Sequence, residues 1–157
     1  MKRLRSRASS VDAVDVAILR FLAADARMSM ADLAREVGLS PPSVAERVKR
    51  LQESGVIRGY TVEVDPAGLG HTLSAHIRVR PLPGQLAKLA ALLDGLDAIV
   101  ECDRVTGDDC FVAKAHVPSV KELERLIDQI MPLGSTNTAI IQSSPVVRRL
   151  PAMPKTE

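Results

Sequence analysis

The chain of 157 residues has few aromatic side chains, few cysteines and no long apolar run. Its aromatic residues are Phe21, Tyr60 and Phe111, and it has no tryptophan. Sites for single-stranded nucleic acid use aromatic rings as stacking platforms, so this composition argues against that class of ligand. Duplex DNA is not excluded, because proteins contact it through phosphates and the edges of the bases in the grooves.

The lack of long apolar runs and the small number of cysteines bear on where in the cell the protein is expected. No stretch reaches the roughly 18 apolar residues of a membrane-spanning helix, and the N-terminus lacks the apolar segment of a signal peptide. Two cysteines, Cys102 and Cys110, are too few for a disulfide-stapled scaffold. We therefore expect a cytoplasmic protein without a membrane association.

Charge alone does not indicate a partner. The net charge is +2, which is lower than a nucleic-acid-binding chain usually carries. Four basic residues nevertheless lie within the first seven positions, and they predict a flexible basic tail over residues 1–10. These residues are Lys2, Arg3, Arg5 and Arg7.

The strongest local pattern lies in residues 29–60. Ser29 is typical of a helix N-cap, and Gly38 is typical of a helix end. Ser40 followed by Pro41 is typical of the start of a second helix. The pattern predicts two helices separated by a tight turn, and an earlier helix capped at Asp12 completes a group of three.

The helix that begins at Pro41 has one apolar stripe and one polar face. Val44, Val48 and Leu51 follow at i, i+4 and i+7, which predicts burial of that stripe. Alternation over residues 57–65 predicts a strand that would form a wing. Three helices followed by a strand indicate a winged helix-turn-helix, which places its second motif helix in the major groove of DNA.

The polar face of this helix provides the predicted contacts to duplex DNA. Arginine can pair with guanine and glutamate can accept from cytosine, whereas lysine and wing residues suit phosphates. The alternative for Arg47 is an ion pair with Glu46 or Glu36. The predicted DNA-binding residues are Ser40, Pro42, Ser43, Glu46, Arg47, Lys49, Arg50 and Arg58.

The second half of the chain predicts strands and helices in the order βαββαβ, which is a ferredoxin-like arrangement. The strands are expected over residues 73–80, 99–105, 110–117 and 138–144, with helices over 85–94 and after Ser119. Both helices would cover one sheet face, so the other face must be covered by water or a second subunit. A reader of two half-sites requires a dimer, and this face is a suitable place for it.

With these motifs in order, the chain resembles the Lrp/AsnC family of feast/famine regulators over about residues 11–150. The segments that carry the resemblance are VDAVDVAIL, LAREVGLSPPSVAERVKRLQESGVIRGYTVEVDP, VTGDDCFVAKAHV and TNTAIIQSSPV. The resemblance implies an α+β protein with an N-terminal winged helix-turn-helix followed by a ferredoxin-like ligand-sensing domain. It also implies a homodimer that assembles to an octamer, an amino-acid-like effector, no other cofactor and no enzymatic activity.

The resemblance also implies a domain plan and an effector site. The expected segments are a tail at 1–10, the DNA-binding domain at 11–64, a linker at 65–71, the effector-binding domain at 72–150 and a C-terminal tail at 151–157. The expected effector-binding residues are Gly107, Asp108, Asp109, Cys110, Thr136, Asn137 and Thr138. Many family members carry aspartate at the position of Cys110, which leaves the choice of ligand open here.

Three alternatives remain at this point. His76, His116 and Cys110 could converge as a metal or redox sensor, although zinc ligands usually lie closer in sequence. Sirohaem decarboxylases resemble the same two-domain architecture, so an enzyme is a second alternative. The third is an architectural DNA-binding protein that responds to no ligand.

Overall fold

The structure is a computed structural model that describes residues 11–147 and 149–152. The chain divides into two compact units, one formed by residues 11–62 with the described residues after 145, and the other by Glu63–Pro145. The predicted basic tail at 1–10 lies outside the described residues, as do residues 153–157 of the predicted C-terminal tail. No helix of the described residues is long and apolar enough to cross a membrane.

The first unit contains three helices: α1 (Ala13–Ala24), α2 (Met30–Val37) and α3 (Pro41–Glu53). The predicted caps are confirmed, since the side chains of Asp12, Ser29 and Ser40 each accept a backbone N–H of the following turn. Gly38 ends α2 with a φ of 71°, a left-handed conformation that favours glycine. Gly38 and Ser40 therefore determine where the turn between α2 and α3 begins and ends.

The three helices enclose one apolar core, which includes the predicted stripe of α3. Ile18 of α1, Leu33 of α2 and Val44 of α3 are each fully inaccessible to solvent. Burial of such side chains contributes about 1.5–3 kcal/mol each to folding. The remaining buried apolar members of this core are Leu22, Ala34, Val48 and Leu51.

The predicted wing strand over residues 57–65 is wrong. This segment has no strand, and Val62 within it is 80% exposed. Alternating apolar residues favour a strand only where a neighbouring strand accepts and donates its backbone hydrogen bonds, and the described chain offers none here. The predicted linker at 65–71 instead contains a short 3-10 helix, Pro66–Leu69, capped by the side chain of Asp65.

The second unit confirms the predicted order βαββαβ. Its four strands form one antiparallel sheet in the order β2-β3-β1-β4, which is the ferredoxin-like arrangement. The elements are β1 (Leu73–Pro81), α4 (Leu86–Asp94), β2 (Ile99–Arg104), β3 (Phe111–Val117), α5 (Val120–Ile130) and β4 (Gly134–Ile140).

One face of the sheet carries the core and the other is open. Ile77 of β1 and Ala113 of β3 pack against Leu89 of α4 and Ile130 of α5, and all four are fully inaccessible. Along β1 the intervening residues are exposed, among them His76 and Arg80. The open face is therefore polar, as the alternation in the sequence predicts.

The last strand begins four residues earlier than its predicted start. β4 covers Gly134–Ile140, whereas the apolar pattern predicts 138–144. Its register is set by β1, which pairs Pro81 with Gly134 and Ala75 with Ile140. A Cβ on Gly134 would stand 2.7 Å from the carbonyl oxygen of Arg80, so glycine permits the approach that starts the strand. A sequence pattern does not show such a close backbone contact.

Candidate nucleic-acid interface and effector site

Helix α3 presents a polar face opposite its buried stripe. Ser43, Glu46 and Lys49 are exposed on this face, and Glu46 makes no ion pair among the described residues. The Nζ of Lys49 lies 3.9 Å from the Oε1 of Glu53 one turn later, an exposed pair that contributes little to stability. The Lys49 ammonium group is therefore accessible to a polyanion such as DNA.

Two serines interact at the N-terminus of α3. The Oγ of Ser40 accepts the backbone N–H of Ser43 at 3.4 Å and lies 2.8 Å from the Oγ of Ser43. Pro42 is exposed within this first turn. Arg58 is exposed as well, but it lies in the irregular segment that replaces the predicted wing strand.

Two predicted base-reading arginines are held by α1 instead of pointing freely outward. The Nη1 of Arg47 donates to the Oδ2 of Asp12 at 2.7 Å and to the Oδ1 of Asp15 at 2.8 Å. The Nη2 of Arg50 donates to the Oδ2 of Asp15 at 2.8 Å. The ion pair considered for Arg47 therefore exists, but with Asp12 and Asp15 rather than with Glu46 or Glu36.

This network changes the acid–base properties of Asp12 and Arg47. The hydrogen bond from Arg47 holds the pKa of Asp12 below its ordinary value of 3.8. The bonds to Asp12 and Asp15 raise the pKa of the Arg47 guanidinium above its ordinary value. Both shifts favour the charged pair, which persists at neutral pH.

The predicted effector turn connects β2 to β3. The backbone N–H of Val105 donates to the carbonyl of Cys110 at 2.9 Å, which closes the loop. Gly107 has a φ of 111°, a conformation that side-chain-bearing residues rarely adopt. Asp108 is highly exposed, whereas Asp109 and Cys110 are half-buried.

Arg80 is a candidate site residue that the sequence analysis did not single out. Its Nε donates to the backbone carbonyl of Asp108 at 3.1 Å, and its Nη2 lies 3.4 Å from the Oδ2 of the same residue. Arg80 thus connects the turn to the end of β1. The strand alternation places Arg80 on the polar face, but its contact with a turn 28 positions away depends on the sheet topology.

The predicted effector residues of β4 lie on both faces of the sheet. Asn137 pairs with Arg78 on the open face, whereas Thr136 and Thr138 pair with the buried Val79 and Ile77. The hydroxyl of Thr138 is buried and has no hydrogen-bond partner in the described chain. Of these three residues, only Asn137 shares the open face with Arg80.

The structure does not support the metal-site alternative. Cys110 and His116 are six positions apart along one extended segment, which separates them by about 20 Å. No cluster of three potential ligands occurs among the described residues. The Nδ1 of His116 instead lies 2.7 Å from the Oγ of Ser74. Burial is the main cause that lowers the pKa of His116 below its ordinary value of 6.5.

The Cys102 thiol does not favour a redox sensor either. Cys102 and Cys110 are both free. Burial raises the pKa of the Cys102 thiol above its ordinary value of 9.0, which disfavours the reactive thiolate.

Family models match both units. Residues 11–52 match the AsnC-type helix-turn-helix domain, and residues 74–151 match the Lrp/AsnC ligand binding domain. A helix-turn-helix unit with this second domain defines the class of DNA-binding transcriptional regulators.

Individual relatives agree with the family models. The chain is 35% identical over 130 residues to the HTH-type transcriptional regulator LrpA of Mycobacterium tuberculosis, covering 82% of this chain and 87% of the relative. The structure of B. subtilis LrpC has a TM-score of 0.84 at 33% identity, covering 87% of this chain and 98% of that chain. The feast or famine regulatory protein of M. tuberculosis, complexed with L-methionine, has a TM-score of 0.83 at 34% identity, covering 89% and 97%.

The chain therefore belongs to the Lrp/AsnC family of transcriptional regulators. Its relatives are regulators and not enzymes, so the alternative of a decarboxylase-like enzyme is removed.

Proposed function

We propose that this regulator binds duplex DNA through the exposed face of α3 and that an amino-acid-like effector controls this binding. The observation that carries the first part is the orientation of α3. Its buried stripe faces the core, and Ser43, Glu46 and Lys49 are exposed on the opposite face. A helix held in this way can enter the major groove and present these side chains to the bases and phosphates.

The proposed contacts fall into two groups. Ser43 and Glu46 are offered as base readers, because glutamate accepts from the N4 amino group of cytosine and serine suits either partner. Lys49 and Arg58 are offered as phosphate contacts, which fix the position of the protein without reading sequence. Arg50 is 57% exposed and also lies within reach of a phosphate.

The proposed effector site lies where the β2–β3 turn meets the end of β1. The Gly107 turn offers backbone N–H groups for a carboxylate, and Asp109 offers an acceptor for an ammonium group. The guanidinium of Arg80 adds a second anchor for a carboxylate at the same edge. The methionine complex of the M. tuberculosis relative supports an amino acid as the class of effector.

The open sheet face is offered as the dimer interface. It is polar, and the two helices leave it uncovered within one chain. A dimer would present two copies of α3 to half-sites about one helical turn of DNA apart. We extend the proposal to a cytoplasmic homodimer that assembles further into an octamer.

A thermal-shift screen of the full protein against the common amino acids tests the effector. We expect at least one to raise the unfolding midpoint, because a ligand at 100 times its Kd stabilises the folded state by about 2.7 kcal/mol. Arg80→Gln should reduce the shift, whereas Lys121→Gln on α5, exposed and away from the turn, should retain it. If no amino acid changes the midpoint, the ligand-independent architectural protein becomes the better account.

A further inference from the structure

Asp15 is the one fully buried charged residue of the described chain, with 1% of its surface exposed. Each of its carboxylate oxygens accepts a hydrogen bond from a different arginine of α3. Oδ1 accepts from Arg47 and Oδ2 accepts from Arg50, both at 2.8 Å. In a third bond of this network, the Nη1 of Arg47 also donates to the Oδ2 of Asp12 at 2.7 Å. We call these four residues the α1–α3 clamp.

Burial of a carboxylate is costly unless charged hydrogen bonds compensate for the lost hydration. The clamp supplies such bonds, and Asp15 also takes part in the capping box at the start of α1. The backbone N–H of Asp15 donates to the Oδ1 of Asp12 at 2.8 Å. The capping box therefore holds the two acidic residues beside each other at the start of α1.

The spacing of the clamp gives it a directional role. Asp12 and Asp15 are three positions apart on the start of α1, and Arg47 and Arg50 are three positions apart on α3. Apolar contacts in the core are not directional, so they define the rotation of a helix less sharply than charged hydrogen bonds do. Two charged contacts one turn apart along α3 restrict both movements, because rolling the helix would break at least one of them.

We propose that Asp15 is a positioning residue for DNA recognition, which sets the rotation of α3 by holding Arg47 and Arg50 against α1. Arg47 in this account acts through the clamp and does not read bases. The inference rests on the proposed function, since it concerns how the exposed face of α3 is aimed. It also implies that Asp15 affects specificity without touching DNA.

Asp15→Asn separates this role from a general role in folding. The variant keeps the size of the side chain but removes the charge and one of the two acceptor oxygens, so Arg47 and Arg50 can no longer both be held by this residue. We expect affinity for a specific duplex to fall about tenfold, the equivalent of one lost charge-assisted hydrogen bond. Affinity for a scrambled duplex should stay unchanged or rise, because the released arginine can contact phosphates.

The experiment uses the full chain in two stages. The wild-type protein first selects a duplex from a pool of random sequences, and failure to enrich any sequence would contradict the proposed function rather than the clamp. Affinities of Asp15→Asn for the selected and scrambled duplexes are then measured below its unfolding temperature. Asp25→Asn is the matched control, because it makes the same change at an exposed position just after α1 and should behave like wild type.

A double-mutant cycle tests whether Arg47 acts through Asp15. The double variant Asp15→Asn/Arg47→Ala should lose little more affinity for the selected duplex than either single variant, because both remove the same constraint. If Asp15→Asn is not folded at the working temperature, Arg47→Lys replaces it, since lysine keeps the charge but cannot bridge Asp12 and Asp15. It should show the same loss of specific affinity.

Three results would overturn the inference. The first is wild-type affinity of Asp15→Asn, or of its replacement, for the selected duplex. The second is an equal loss of affinity for the selected and scrambled duplexes, which indicates a general folding defect. The third is additivity in the cycle, which indicates that Arg47 contacts the bases directly.

Discussion

Replacement of Leu33 by alanine should unfold the helical unit and abolish duplex DNA binding. Leu33 is fully inaccessible at the centre of the core shared by α1, α2 and α3. Truncation of a buried leucine costs about 2–5 kcal/mol, because the cavity is only partly filled by relaxation. A unit of this size has little stability in reserve, so we expect this loss to exceed what it can tolerate.

The measurement combines denaturant unfolding with a gel shift on a duplex selected by the wild-type protein. The second unit has a core of its own and should keep its unfolding transition. Leu39→Ala is the matched control, since Leu39 lies in the turn before α3 and is 36% exposed. Equal losses of stability in the two variants would contradict the described core.

Charge reversal at Lys49 is expected to produce the second largest effect. Lys49→Glu places a negative charge on the exposed face of α3, opposite the proposed position of the phosphates. Affinity for duplex DNA should fall on the order of tenfold or more, for selected and scrambled sequences alike, because a phosphate contact carries no sequence information. The milder Lys49→Ala should reduce the slope of log affinity against log salt by about one.

Lys88→Glu on α4 is the control for this change. It alters the net charge by the same amount at an exposed position of the second unit. A loss of affinity equal to that of Lys49→Glu would show that total charge matters and that the α3 face does not. Unchanged binding by Lys49→Glu would remove Lys49 from the interface.

The helices and most of the sheet could be predicted because their signals are local. Asp12, Ser29 and Ser40 fix where the three helices begin, and Gly38 fixes where α2 ends. Capping requires a side chain and a backbone N–H two or three positions apart, so a short stretch of sequence contains the whole interaction. The alternation along β1 is equally local, since it reflects the two faces of one strand.

The errors have non-local causes. The strand predicted over residues 57–65 requires a hydrogen-bonding neighbour, which the alternation of Tyr60, Val62 and Val64 does not reveal. The start of β4 depends on the close approach of Gly134 to Arg80 on another strand. Both features are properties of pairing between segments rather than of one segment.

In the candidate sites, too, local features could be predicted and contacts between distant segments could not. The exposed face of α3 could be predicted, because it is the complement of a periodic buried stripe. The engagement of Arg47 by Asp12 and Asp15 could not, since 32 or more positions separate Arg47 from these partners. The contact of Arg80 with Asp108 also depends on which strands are neighbours. Charge and spacing suggested what the arginines can bind, and only the tertiary structure shows what they contact.

We expect an amino-acid effector to change the affinity of this regulator for DNA. The direct measurement is a titration of the selected duplex with the full protein, with and without the amino acid that raises its unfolding midpoint. We predict that the amino acid shifts the apparent Kd by about 5–150-fold in one direction, the usual range for coupling between two sites. Identical DNA-binding curves without the amino acid and at a saturating concentration of it would contradict this prediction, because a ligand that does not prefer one state cannot change the affinity for DNA.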